Sequence, residues 1–340
     1  MRALRLAEFG RLEVVELPDP TPGPGEVLIG VGFTGICGTD LHGYTGANGR
    51  RRPGQVMGHE TSGRVRAVGP GVAGPAPGTA VTVNPVVVPE ADADAWRGRE
   101  QQHPDKYVIG VRPDLPAAFA QSLVVPARNV VTLPAGMPLT HGALIEPLAV
   151  ATHAVARLPR VAGATVLMTG GGPIGQSVVV ALRQAGAATV VVSEPSAPRR
   201  NLLAGLGAVV IDPADGPVAE QVLALTGAAS CALDAVGTSG SVADCLQATE
   251  AGATVCLVGM ASPRLELAAF DVTTAERMLT GSFAYSSLDF ATASEALAGT
   301  PQLADALISR TVPLAEAPAT FAALAAGDPT PGKVLVSFER

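Results

Sequence analysis

Along the first part of the chain, apolar and polar residues alternate in short runs: LEVVEL, EVLIGVGF, SGRVRAVG and TAVTVN. A period of two, broken by the Pro/Gly clusters PDPTPGPGE and GPGVAGPAPG, predicts strands joined by tight turns. Strands at this spacing predict a closed or partly closed β-barrel-like domain from Met1 to about Asn84. Residues 85–110 repeat at neither the helix nor the strand period and read as an irregular polar surface lobe. Short extended runs resume between Ala117 and Val131. A helix is then expected to begin near Thr140, an acceptable N-cap, and to run through Glu146 toward Arg157.

At Thr165 the texture changes. TVLMTG, GGPIGQSVVVALRQAG, ATVVVSE, PSAPRRNLLAGLG and AVVI alternate continuous apolar runs with helix-like ones, and further strands are expected at CALDAVG and ATVCLVG. Apolar strands alternating with helices predict an α/β domain, a parallel sheet covered on both faces. The final run KVLVSF is strand-like and could return to the first domain.

The 340 residues suffice for two domains with substantial cores, and 47% hydrophobic against 16% charged residues describes a compact globular chain. A net charge of −7 leaves no electrostatic footprint for nucleic acid, and no run of Lys or Arg reads as a membrane-surface patch. No signal-peptide core and no apolar run of membrane-spanning length is present, so a soluble cytoplasmic protein is expected. The four cysteines, Cys37, Cys231, Cys245 and Cys256, show no disulfide-framework spacing and fit a reducing compartment. Cys231 and Cys256 sit in apolar strand-like runs and read as inert buried thiols.

Cys37 has different company. GICGTDLH carries Cys37, Thr39, Asp40 and His42, and GHETSG carries His59 and Glu60, with Glu146 in IEPLAV able to approach from far along the chain. A thiolate, an imidazole and a carboxylate are the donors that hold a catalytic zinc with one position open, and such an ion acts as a Lewis acid on an alcohol oxygen. Thr39 and His42 offer a hydroxyl and an imidazole that could pass the alcohol proton to solvent, or could simply stabilise a turn. In the second domain, Gly170, Gly172 and Gly175 form G-x-G-x-x-G between a predicted strand and helix, where backbone can approach a pyrophosphate at the positive helix end. Nineteen residues past Gly175, Glu194 ends the next predicted strand, placed to accept hydrogen bonds from ribose hydroxyls. Its charge favours NAD over NADP, although Arg199 and Arg200 lie nearby.

Together GICGTDLH, GHETSG, IEPLAVA, GGGPIGQ, VVVSE, LVGM and TGSFAYS, in that order, resemble the medium-chain, zinc-dependent alcohol dehydrogenases over essentially the whole chain. The resemblance implies a GroES-like catalytic domain (residues 1–150 with the return of 285–340) split around a Rossmann NAD-binding domain (151–284). It further implies an active site in the cleft between them, and homodimers or homotetramers. It makes Cys37, His59 and Glu60 zinc ligands and Glu146 a ligand or close neighbour of the ion, with Thr39 and His42 as proton relay. Gly170, Gly172, Pro173, Ile174, Gly175, Glu194 and Arg199 then fall at the cofactor, and Tyr44 and Phe119 at positions that often line the substrate pocket. Glu at both 60 and 146 is similar to the polyol, butanediol and threonine dehydrogenase branches.

The chain departs from the family pattern at two places. Where many relatives hold a structural zinc with four Cys, anchoring on Asn84-Pro85 and Gly98-Arg99 puts Pro89, Asp92, Ala95 and His103. That set makes no thiolate cage, so one catalytic zinc and no structural zinc are expected. In TGSFAYS, Ala284 stands where polyol dehydrogenases tend to have Arg, which weakens a sorbitol-type assignment. The expectation is an NAD-dependent zinc oxidoreductase acting on a small polar secondary alcohol or ketone. A threonine 3-dehydrogenase-like enzyme and a non-catalytic nucleotide-binding protein are the alternatives.

Overall fold

The computed structural model describes residues 1–47 and 49–339. The chain divides into two compact units, Met1–Glu146 with the segment from Tyr285 onward, and Pro147–Ala284.

In the first unit β1 (Arg2–Glu8) and β2 (Arg11–Glu16) form an antiparallel hairpin that sets Leu6 opposite Leu12. The expected runs become β3 (Glu26–Gly35), β4 (Glu60–Val68) and β5 (Ala80–Val83). In β4 the period-two pattern is visible in burial, with Val65 inside and Arg64 and Arg66 outside. The lobe is largely irregular, with a minimal pair, β6 (Val86–Val87) against β7 (Tyr107–Val108), and short 3-10 turns at Glu90–Asp92 and Glu100–Gln102. β8 (Ser122–Pro126) and β9 (Val130–Thr132) follow.

The expected single helix from Thr140 is instead two, Leu139–Gly142 and Ile145–Ala156, and the N-cap of the first is Pro138. Tertiary packing accounts for the break. The Ser62 hydroxyl donates to the Leu139 carbonyl. A Cβ at Gly142 would stand 2.8 Å from both Leu133 and Ser62, so the backbone runs where only glycine fits.

In the second unit β10 (Thr165–Thr169), β11 (Thr189–Ser193), β12 (Val209–Ile211), β13 (Ala229–Asp234), β14 (Thr249–Leu257) and β15 (Met278–Gly281) pair in parallel in the order β12-β11-β10-β13-β14-β15. This is the doubly wound order, whose reversal between β10 and β13 opens a crevice beyond the strands' carboxyl ends. Val, Leu, Ile and Cys side chains of the sheet and its helices, among them Leu167, Val191, Val242, Cys245 and Val255, form its core.

The chain then returns to the first unit with β16 (Ile308–Pro313) and β17 (Lys333–Ser337). Ten-residue β3 makes that return possible. Along one edge it pairs with β4, and along the other it gives Glu26–Gly30 to β8 and Phe33–Gly35 to β17. The sheet runs β16-β17-β3-β4-β5-β9, and isolated bridges Ala3–Ala120 and Arg5–Val56 attach the first hairpin. Leu4, Leu6, Ile29, Phe119 and Phe321 are buried in the enclosed core. Among the described residues no helix is long and apolar enough to cross a membrane.

Candidate functional site

Strand register assembles the site in the first unit. β3 and β4 pair Gly35 with Glu60, so Cys37, two residues past the end of β3, arrives beside the start of β4, directly after His59. Two glycines make the approach possible. A Cβ on Gly35 would lie 2.1 Å from Glu60 Oε2, so only glycine there leaves the carboxylate its place. Gly58 turns the chain into His59 at φ +101, and a Cβ on it would lie 2.9 Å from the Phe119 backbone nitrogen.

The outcome is a cluster in which one donor atom each from Cys37, His59 and Glu60 lies within 4.8 Å of the others. The side chain of Glu60 is fully buried. Its Oε1 accepts from Lys333 Nζ at 2.7 Å, while Oε2 is buried with no hydrogen-bond partner among the described residues. A buried carboxylate oxygen left bare costs free energy unless something else binds it, and a cation between sulfur, imidazole and carboxylate does so. The donor set fits zinc.

The surroundings tune this cluster. Cys37 is the N-cap of the helix Gly38–Thr45, and Asp40, three residues on, accepts from the Cys37 amide at 3.3 Å. The other Asp40 oxygen stands 3.6 Å from His59 Nδ1 and 3.4 Å from Arg51, all three side chains being buried. At 3.6 Å Asp40 acts on the imidazole through its charge, and His59 Nδ1 is buried with no hydrogen-bond partner among the described residues. Burial on its own would lower the His59 pKa, but Asp40, Cys37 and Glu146 outweigh it and raise the imidazole to about 10. Burial also works against the Lys333 ammonium, and Glu60, Cys37 and Glu146 overcome it and raise its pKa. The pocket's field therefore favours positive charge.

Glu146 lies in the same field but outside the three-residue cluster. Burial, reinforced by Glu60, raises its carboxyl to about 7 against the opposing pull of His59, Tyr285 and Lys333. Thr39 and His42 are both exposed and sit three residues apart on one helix, the spacing of neighbours on a helical face.

Tyr44 and Phe119 sit elsewhere than the family pattern suggested. Both are core side chains, 6% and 0% exposed, packed against Phe321 at centroid distances of 6.0 and 5.4 Å. The Tyr44 hydroxyl donates to the Gly10 carbonyl. Neither presents an open wall to a small molecule, because the core of the first unit claims the aromatic faces.

Lys333 and Tyr285 escaped the sequence reading. The signal for Lys333 was a lone cation opening the apolar run KVLVSF. For Tyr285 it was an aromatic inside TGSFAYS. Neither motif says what the side chain would touch.

In the second unit β10 ends at Thr169, Gly170 turns at φ +89, and Gly172 caps the helix Pro173–Gln184, with Pro173 at its first turn. Close packing explains two of the glycines: a Cβ at Gly175 would lie 2.1 Å from the Gly170 carbonyl oxygen, and one at Gly171 2.4 Å from Leu203. Gly172 is different. A Cβ there would meet nothing within 4 Å, so its open face is free for a ligand at the helix N-terminus. Pro173 and Ile174 are half-buried beside it.

Glu194 follows β11 and is 3% exposed; it accepts from the Gly171 amide at 2.6 Å and the Ser196 amide at 2.8 Å. Its charge is thereby fixed against the glycine loop. Arg200 is occupied by the Glu194 and Pro195 carbonyls and by Asp212 at 2.8 Å. Arg199 is half-buried on the same helix, Ala197–Gly205.

Comparison with known proteins finds two domain matches. Residues 23–135 match the alcohol dehydrogenase GroES-like domain, and residues 173–299 match the zinc-binding dehydrogenase domain. The chain is 40% identical to an L-threonine 3-dehydrogenase of Pyrococcus furiosus, over 74% of this chain and 73% of that protein. It is 35% identical to a 2-dehydro-3-deoxy-L-galactonate 5-dehydrogenase of Pseudoalteromonas atlantica, over 95% and 94%. Among solved structures, the 2R,3R-butanediol dehydrogenase of Bacillus subtilis superposes with a TM-score of 0.91 at 27% identity, covering 99% of each chain. A Sinorhizobium meliloti protein described as a zinc-binding dehydrogenase, with NADP bound, gives 0.88 at 32% identity over 99% and 98%. An Escherichia coli alcohol dehydrogenase complexed with NADH gives 0.90 at 26% identity over 99% of each chain.

Proposed function

The chain belongs to the zinc-binding alcohol dehydrogenase family, and from that premise we propose that it interconverts a small polar secondary alcohol and its ketone, with NAD as hydride carrier and one catalytic zinc. The observation that carries the reading is the cluster of Cys37, His59 and Glu60, in which Glu60 Oε2 is buried with no hydrogen-bond partner among the described residues. In this reading residues 1–150 and 285–340 are the catalytic domain and 151–284 the nucleotide-binding domain.

Cys37, His59 and Glu60 would hold the ion. When bound, zinc supplies Lewis acidity that makes an alcohol O–H easier to ionise, so that the carbon's hydride can pass to the nicotinamide. Asp40 places a negative charge beside the His59 ring, and Lys333 offsets the negative charge of Glu60. Thr39 and His42 carry the alcohol proton toward solvent from their exposed helical face. Gly170, Gly172, Pro173, Ile174 and Gly175 receive the pyrophosphate. Glu194 accepts from the ribose hydroxyls and disfavours a 2′-phosphate, which makes NAD the preferred nucleotide, with Arg199 beside it.

The relatives act, by their names, on threonine, a deoxy sugar acid and butanediol, and these have in common a secondary alcohol flanked by a polar group. That is the substrate class we assign. A homo-oligomer, dimer or tetramer, accompanies this reading. The test is reduction of NAD and NADP by the purified protein against a panel of diols, polyols, cyclitols, sugar acids and threonine, alongside metal analysis. Turnover of a secondary alcohol with NAD and about one zinc per chain is expected. A response to threonine alone would move the assignment to a threonine 3-dehydrogenase, and no turnover with no metal would refute it.

A further inference from the structure

The turn that leads into the helix Ser287–Ala298 is held from three directions. Ala284 has φ +49, a left-handed conformation that costs a non-glycine residue about 1–3 kcal/mol and survives only where its surroundings enforce it. Ser286 and Asp289 form a reciprocal cap: Asp289 accepts from the Ser286 amide at 2.9 Å and from its hydroxyl at 2.6 Å, and the Asp289 amide donates to Ser286 Oγ at 3.2 Å. Ser287 is gripped from the lobe, where Glu100, 8% exposed, accepts from its amide at 3.1 Å and its hydroxyl at 2.5 Å. Glu100 accepts the Gly98 amide as well, at 3.1 Å.

Between these anchors stands Tyr285. Its side chain is 0% exposed, its ring lies 5.6 Å from that of Phe290, and its hydroxyl donates to Glu146 Oε1 at 2.8 Å. One of the two Glu146 oxygens is thereby engaged. Glu146 and Glu60 are both buried, and two carboxylates so placed repel each other. A donor that occupies one oxygen of Glu146 fixes the direction of the second.

We propose that Tyr285, anchored through Ser287 by the lobe residue Glu100, is a positioning residue that orients Glu146 at the Cys37/His59/Glu60 centre. The inference rests on reading that centre as a metal site. It gives the lobe a task that needs no metal of its own: the lobe carries the carboxylate that fixes the turn, and the turn carries the phenol that fixes the site.

The test is cobalt exchange into the full-length protein, read by visible absorption and by cobalt affinity. The unmutated protein is expected to show thiolate-to-cobalt absorption together with ligand-field bands. Absence of both would overturn the metal-centre reading, and this inference with it. Tyr285→Phe is expected to keep the thiolate absorption but shift the ligand-field bands and weaken cobalt binding roughly ten-fold or more, the size of effect usual when a hydrogen-bonding partner around a metal centre is lost. Ser287→Ala is expected to shift the same bands in the same direction by a smaller amount, and it carries the test if Tyr285→Phe does not fold. A part that is only structural would lower the melting temperature and leave bands and affinity unmoved; that result in the folded variant would overturn the proposal and leave the centre standing.

Discussion

Lys333 and Glu60 are a buried ion pair, 3% and 0% exposed, and their interaction holds only while each has the other. Lys333→Met leaves Glu60 buried without its counter-charge, a loss of about 3–5 kcal/mol for pairs broken on one side. A divalent ion in the same cluster supplies positive charge, so the deficit should be large in protein stripped of metal and much smaller after zinc is added. Urea unfolding of both forms measures it, and equal losses with and without zinc would mean that Glu60 does not face the ion. His59 gives a second expectation. With its pKa raised to about 10, the imidazole carries its proton at neutral pH in metal-free protein, and a ligand imidazole must be neutral. Metal uptake near pH 7 should therefore expel at least about one proton, and affinity should weaken steadily from about pH 9 to about pH 6. Calorimetry in buffers of different ionisation enthalpy reads the proton count, and uptake without release would contradict the assignment.

Among the elements, Phe119 shows where reasoning from motifs stops. The family pattern placed it at a pocket, yet it packs edge-on to Phe321 at 5.4 Å with no exposed surface. Phe119→Ala should then cost about 3–5 kcal/mol of stability, as large aromatic deletions in cores do. Chemical denaturation checks this, and a shifted KM at unchanged stability would restore the pocket role. The strands of the first unit and the parallel sheet of the second were legible because their apolar periods survive folding: Val65 is inside and Arg64 outside, as written in SGRVRAVG. The helix break at Ala143 and Leu144 was not legible, since it comes from Ser62 and Leu133 crowding Gly142, residues distant in sequence. Strand β15 was missed because an edge strand with Met278 53% exposed shows neither period clearly. Cys37, His59 and Glu60 could be read from the chain because their chemistry is rare in combination. Lys333 and Tyr285 could not, since a lysine opening a strand and an aromatic in a turn are ordinary until the fold brings them to Glu60 and Glu146, 273 and 139 residues away.

For the whole molecule, the division of chemistry follows the division of the chain. The sulfur, imidazole and carboxylate donors belong to Met1–Glu146 with its returning segment, and the glycine loop with Glu194 belongs to Pro147–Ala284. Each set is held by its own unit's hydrogen bonds. Cys37 owes its place to the end of β3 and the Asp40 cap, whereas Gly171 owes its place to Glu194. Removing the thiolate therefore subtracts a ligand without loosening the loop. Cys37→Ala should lose its zinc and its turnover while NAD affinity, measured by fluorescence titration or calorimetry, stays within about three-fold of the unmutated protein, a change of less than 1 kcal/mol. Parallel loss of nucleotide binding would show that the metal centre supports the nucleotide unit as well as the reaction, and the two units could then no longer be treated as independent in energy.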